Sequence, residues 1–329
     1  MLMRPSLLAC AVIAAGTIVS IAAVACGGSS ADNSGFGSSG GGESSGGESS
    51  GGNASGSGGL IGSSGSSGKD AAPEPPDECK KMDIVFVIDN SGSMSQEQAN
   101  LATNFPKFVN VINNYKTKSG EQLDYRVAVT STDDGKEKGA FGQTKAAGAP
   151  SGCSPGPARP WLERADGDVA AAFSCRAQYG TGGSNIERGL ETMFLGVTAR
   201  IADNTNTAAG ASFVREDALL AFVVITDEDE GGTENQPKRN PVTEYAAEFD
   251  KVKGERARWA AAAIAGPTAC NSAGLGNAAE AKRLKDFITT VGKNGVFSSI
   301  CAGDLTQGLT DALAKFDQAC KDFPSGPVK

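Results

Sequence analysis

Five apolar residues in a row, Ile84 to Ile88, stop at Asp89. The run is rich in β-branched side chains and leaves neither face polar, the pattern of a strand buried on both sides of a parallel sheet. Asn90 to Ser93 then supply only polar groups and a glycine, and a helix-like pattern follows at once. Strand, tight polar loop and helix in that order belong to an open α/β sheet, whose ligands sit at the carboxyl ends of its strands. A second run, Leu219 to Ile225, ends the same way at Thr226-Asp227. Two such strands would bring two carboxylates to one edge of one sheet. Like charges held that close are costly unless a cation lies between them. The alternative is that each aspartate merely caps its own loop.

Asp89-Asn-Ser91-Gly-Ser93 offers three oxygen side chains in five residues, with no sulfur or imidazole. That set suits a hard divalent cation, Mg2+ first, with Ca2+ or Mn2+ as alternatives. Asp-x-Ser-x-Ser after a hydrophobic strand resembles the metal-ion-dependent adhesion site (MIDAS) of von Willebrand factor type A (vWA) domains. The resemblance covers about residues 80 to 320. It implies a doubly wound, mainly parallel sheet flanked by helices, and no enzymatic activity. It also implies that Ser91, Ser93 and Ser184 bind the ion directly while Asp89 and Asp227 act through waters. One position would remain for an acidic side chain of a protein or glycan partner. Ser184 stands in Gly182-Gly-Ser-Asn-Ile-Glu-Arg-Gly-Leu190, where the family has a threonine. The same residues read as a capping box, Ser184-x-x-Glu187, and Thr181 is a second candidate if the loop register slips.

The chain departs from the family at Glu228-Asp229-Glu230, where many members have glycine after Thr-Asp. Three readings of these acids stay open: a shift toward Ca2+, a neighbouring cation site, or a solvated loop. Each would make the rim negative and weaken capture of an acidic ligand. Net charge is −8, and loss of Arg4 with a leader makes it one unit more negative, which argues against nucleic acid or anionic lipid heads as partners.

Residues 1–25 have the layout of a secretory signal, one charge at Arg4 and then an apolar segment from about Leu7 to Val24. The end of that segment, Ala23-Val-Ala-Cys26-Gly27, resembles the lipobox of bacterial lipoproteins. The resemblance implies acylation of Cys26 and, with Gly27 in place of a retaining aspartate, attachment to the outer membrane, with the lipid as the only membrane contact. An ordinary cleavage site with an accidental cysteine and an uncleaved anchor are the alternatives. The rest of residues 26–78 is Gly/Ser-rich and cannot form a core, so it reads as a flexible tether. About 45 such residues reach roughly 35–40 Å. The folded domain is expected over 79–322, with a short tail at 323–329.

Six cysteines fall in that domain, which in an exported chain read as three disulfides. The pairing Cys79–Cys320 would join its two ends. Cys153–Cys175 and Cys270–Cys301 would close local loops. With relatives whose last helix shifts on ligand binding, a Cys79–Cys320 bond would make this domain more rigid. No Cys-x-x-Cys pair exists, which argues against zinc and thioredoxin-like chemistry.

Between the motifs, Ser95-Gln-Glu-Gln98 reads as a capping box opening a helix with Leu101, Phe105, Phe108, Val109 and Ile112 on one face, bent or broken at Pro106. Tyr125 to Thr130 reads as a strand. Residues 132–182 read as a long irregular insertion, with Asp133-Asp134 in a solvated turn; the insertion is either part of the binding rim or a surface decoration. Asn240-Pro241 reads as a helix start and Gly254 as its stop. Ala257 to Ile264 reads as a buried strand, with helix open because of its alanines. A helix over Leu284 to Val291, a strand over Gly295 to Ile300 and a last helix capped by Asp304-x-x-Gln307 complete the pattern. The chain contains no histidine, which removes His-based triads, general bases and zincins. The likeness of Val87-Ile-Asp-Asn-Ser-Gly92 to a subtilisin-type aspartate motif fails for that reason. A metal-stabilised envelope scaffold and, further off, a metal-dependent hydrolase are the alternatives to a recognition module.

Overall fold

The structure is a computed structural model, and it describes residues 79–117, 119–232, 234–271, 276–324 and 326. The leader, Cys26 and the tether lie outside the described residues. The chain runs β1 (Lys81–Ile88), α1 (Ser95–Asn114), β2 (Asp124–Ser131), β3 (Leu162–Glu163), α2 (Val169–Ala177) and α3 (Gly189–Val197). A small hairpin, β4 (Thr205–Asn206) and β5 (Ala211–Ser212), precedes β6 (Leu219–Ile225), α4 (Glu244–Lys253) and β7 (Trp259–Ala265). A second hairpin, β8 (Cys270–Asn271) and β9 (Asn277–Ala278), leads to α5 (Lys282–Val291), β10 (Gly295–Ser299) and α6 (Thr306–Lys321).

Six strands form the main sheet in the order β10-β7-β6-β1-β2-β3, parallel except for the short edge strand β3. The apolar runs explain its centre, since β1, β6 and β7 are buried on both faces. Alternate residues feed two cores. Ile84, Phe86 and Ile88 pack with α1, α2 and α6, while Val85 and Val87 pack with α3, α4 and α5. Phe86 meets Phe105, Phe108 and Phe173 edge-on at ring distances of 5.3, 5.2 and 4.9 Å. Each such buried ring stabilises the fold by about 1.5–3 kcal/mol. This is the doubly wound architecture expected from the sequence, and the alanine-rich segment is a strand.

Several local expectations change. α1 runs unbroken through Pro106. A proline leaves the carbonyl four residues back without its helical donor. Here that carbonyl belongs to Ala102, and the Ser174 hydroxyl of α2 donates to it at 3.2 Å. No capping box opens α1, because Met94 is the N-cap residue and no side chain caps the helix. Asn240-Pro241 forms the turn before α4 rather than its start, whereas Gly254 ends α4 with φ +82°. Leu305 is the N-cap residue of α6, and Asp304 accepts from the Thr306 N–H. Residues 132–182 are not wholly irregular, since they contain β3 and α2, the latter capped by the Asp168 carboxylate on the Ala171 N–H.

The disulfides are Cys79–Cys320, Cys153–Cys175 and Cys270–Cys301, as expected. The first ties the start of β1 to the last turn of α6. Three disulfides belong to a chain that folds in an oxidising compartment. No described helix is long and apolar enough to cross a membrane.

Candidate functional site at the strand-order reversal

β1 and β6 are neighbours, but the chain leaves them in opposite directions, toward β2 and toward β7. Such a reversal opens a crevice beyond the carboxyl ends of the two strands. Their register is level, Ile88 opposite Ile225, and the Asp89 N–H donates to the Ile225 carbonyl at 3.0 Å. Asp89 and Thr226-Asp227 therefore emerge side by side.

Asp89 is fully buried. Its Oδ1 accepts from the Ser91 N–H at 2.7 Å and its Oδ2 from the Thr226 hydroxyl at 2.6 Å. Burial raises its pKa to about 7; these hydrogen bonds oppose the rise, and the Asp227 charge adds to it. Asp227 is also buried and raised, first by desolvation, with the Ser93 hydroxyl in hydrogen-bonding reach acting the other way. One Asp227 oxygen, Oδ1, has no partner. The Ser91 and Ser93 hydroxyl oxygens lie 3.2 Å apart, and Ser93 is exposed. Asp89, Ser91, Ser93 and Asp227 thus share one pocket of oxygen atoms at the sheet edge.

Ser184 arrives on the loop before α3. That loop touches the first one where the Gly183 N–H donates to the Asn90 carbonyl at 2.8 Å. A Cβ on Gly183 would collide with the Asn90 side chain, so the approach requires glycine. The Ser184 N–H donates to Asp133 Oδ2 at 3.1 Å, and its hydroxyl accepts from the Ile186 N–H at 3.0 Å. The capping box with Glu187 does not form, because α3 begins at Gly189 with Arg188 as N-cap residue. Thr181 is exposed on the same loop. Asp133 is buried rather than solvated, and it also accepts from the Gly135 and Lys136 N–H groups. Asp134 pairs with Arg188 and Lys238. Gln98 bridges the loops, donating to the Asp89 and Gly180 carbonyls at 2.8 and 3.0 Å and accepting from the Gly180 N–H. Both ends of the 132–182 insertion therefore lie at the crevice.

The extra acids resolve into separate roles. Asp229 accepts from the Arg283 and Leu284 N–H groups at the start of α5 and pairs with the Arg283 guanidinium. Glu230 is buried and accepts from the Leu190 N–H at the start of α3. Each acid meets the positive end of a helix. Burial still raises Glu230 to about 8. Two acids that the sequence placed only in capping boxes are buried without partners. Glu97 finds no donor from another residue for either oxygen, and burial raises it to about 7, with Asp227 adding to the shift. Its signal was periodicity, since Glu97 falls on the stripe of Leu101, Phe105 and Phe108. Glu187 is the second; burial raises it to about 10, with Asp89 and Glu228 as further causes.

The donor set is oxygen throughout, and buried carboxylate oxygens stand without donors, which fits a hard divalent cation. Among the described residues no three His, Cys, Asp or Glu side chains converge as a metal-binding group. A cation here would need hydroxyl and water oxygens beside the carboxylates, and Ser91 and Ser93 supply the hydroxyls.

No protein-family model matches the chain, and no curated protein does. Solved structures similar to it include proximal thread matrix protein 1 of the mussel byssus, at 13% identity and TM-score 0.38 over 74% of this chain and 49% of that one. The pilus adhesin SpaC of Lactobacillus rhamnosus GG aligns at 12% identity and TM-score 0.43 over 75% of this chain and 32% of that one. The human COPII-coat protein Sec24c aligns at 7% identity and TM-score 0.39, over 75% and 33%. This chain spans half or less of the length of each.

Proposed function

We propose that the chain is a vWA-like recognition module that holds a divalent cation, Mg2+ first, at the crevice between β1 and β6. Ser91, Ser93 and Ser184 would bind it directly, and Asp89 and Asp227 through waters. Keeping the carboxylates one shell away leaves the ion electrophilic, so it can accept an acidic group from a protein or glycan partner. The observation that carries this reading is the pairing of Asp89 and Asp227, both buried and raised, with hydroxyls around them and no lysine or arginine ion-paired to either among the described residues. Two of the three acids after Thr226-Asp227 turn inward to cap helices, so they repel an acidic partner less than their sequence suggests. All six described cysteines are paired and the chain has no histidine, so among the described residues neither a free thiol nor an imidazole is present. Acylation of Cys26 would place the module on the outer membrane, which mass spectrometry of the mature N-terminus tests.

Calorimetry with Mg2+, Mn2+ and Ca2+, followed by capture from envelope extract with Mg2+ or EDTA, tests the function. Cation uptake, and capture lost in EDTA and in Asp89→Ala and Ser91→Ala at unchanged melting temperature, are expected. Loss of stability alone in those variants would leave a scaffold, and no uptake would remove the cation.

A further inference from the structure

We propose that Glu187 and Glu228, with the Asn185 carbonyl, form a second cation site beside Asp89. Glu187 is 1% exposed, yet neither carboxyl oxygen meets a donor from another residue. No lysine or arginine ion-pairs with it among the described residues. Its carboxyl lies against that of Glu228, where two acceptors can bond only by sharing a proton, and the Asp89 charge acts on it as well. Burying an ionised carboxylate such as Glu187 without a partner is costly, and a second carboxylate beside it adds repulsion.

The backbone around Glu187 is built to keep it there. The Gly231 N–H donates to the Glu187 carbonyl. Gly232 sits at φ +62°, and a Cβ on it would come within 2.9 Å of the Asn185 carbonyl oxygen and 3.2 Å of Glu187 Oε2. Those two oxygens therefore both border Gly232. The Asn185 carbonyl accepts no hydrogen bond among the described residues. Carboxylates with a backbone carbonyl and no nitrogen or sulfur suit Ca2+ or Mg2+, with water completing the shell. Asp229 and Glu230, the other acids of this loop, are committed to helix ends and are not ligands.

The second site is independent of the Ser91–Ser93 site, and the test separates them. Calorimetry of the full chain with Ca2+ and Mg2+, and anomalous scattering from crystals with Mn2+, count the ions and place them. The wild type is expected to bind two. Glu187→Gln, an isosteric change that removes the charge, should keep only the ion at Ser91 and Ser93, and Glu228→Gln should do the same. A Ser91→Ala/Ser93→Ala double variant should keep only the ion at Glu187 and Glu228. That ion surviving when no ion is found at Ser91 and Ser93 would sink the first reading and support this one. A single ion in the wild type with none at Glu187, or two ions retained in Glu187→Gln, would overturn the second site.

Discussion

Asp83 lies near the start of β1 and Asp89 directly follows its end, and both are 0% exposed. At the amino end, Asp83 accepts from the Arg215 N–H at 2.7 Å and from its guanidinium at 2.8 Å. Burial raises Asp83 to about 6, and Arg215 holds it from rising further. Buried Lys253 closes the same end, donating to the Arg215 and Glu216 carbonyls. At the carboxyl end, Asp89 meets only hydroxyl and amide dipoles, and its neighbour in charge is another acid, Asp227. The fold supplies a counter-charge where the acid serves architecture. Where it supplies none, and Asp227 Oδ1 and the Glu97 and Glu187 carboxyls also lack donors, a retained proton or, on the proposed function, a cation from solution would have to neutralise them.

The severest way to break that contrast is to remove the built-in counter-charge. Arg215→Met would leave Asp83 buried and unpaired, a change that costs about 3–5 kcal/mol. Denaturant unfolding should show the loss, and saturating Mg2+ should not restore it. Recovery with Mg2+ would mean that the two ends are not chemically distinct. The converse experiment acts at the other end. Mg2+ at a hundred times its Kd should stabilise the wild type by roughly 2.7 kcal/mol. Asp89→Asn should lose the part of that gain due to the ion at Ser91 and Ser93, and be more stable than the wild type without the ion. An Asp89→Asn variant that still responds fully to Mg2+ would move the ion away from Asp89.

What the sequence made legible follows the same division. Strands fully buried on both faces have to be written as unbroken apolar runs, so β1 and β6 and the acids that end them were readable. The oxygen spacing Asp89, Ser91, Ser93 was readable because a tight loop keeps its oxygen side chains local in sequence. Acids whose roles depend on contacts distant in sequence were not. Asp133, Asp229 and Glu230 look like solvated charges until Ser184, Arg283 and Leu190 are brought to them. Helix starts were misread for a related reason. Ser95-Gln-Glu-Gln98 fits a capping box, but Gln98 bonds the Asp89 and Gly180 carbonyls instead. Pro106 was misread because its unpaired carbonyl is satisfied from another helix.

A gentler probe uses pH. The ordinary value for an aspartate is 3.8, and metal-free Asp89 stands at about 7. Between those values the unfolded chain gives up its proton while the folded chain keeps it, so folding loses stability as pH rises through the window. Glu97, moved from 4.5 to about 7, adds to the same fall. Asp83, moved to about 6, adds a part that belongs to the other end. Melting temperatures in EDTA should therefore drop from about pH 4 upward, and Glu230 and Glu187, raised to about 8 and about 10, should extend the fall past pH 7. With Mg2+ the drop should shrink to the parts due to Asp83 and Glu230. Superimposed curves with and without Mg2+ would erase the distinction between the ends.

The smallest effect tests whether position or partner decides how an acid behaves. Asp229 stands at the site end of the sheet, two residues past Asp227, yet it has partners of its own in the Arg283 and Leu284 N–H groups and the Arg283 guanidinium. By position it belongs with Asp89, and by partner with Asp83. If partners decide, Asp229→Ala removes a helix cap and costs about 0.5–2 kcal/mol, with cation uptake at Ser91 and Ser93 unchanged. If position decides, Asp229→Ala relieves crowded negative charge, raises the melting temperature in EDTA and weakens uptake. Thermal unfolding and calorimetry on the one variant give opposite signs for the two cases. Helix-end N–H groups and a guanidinium are the partners of Asp229, so the loss of stability without loss of the ion is the expected result.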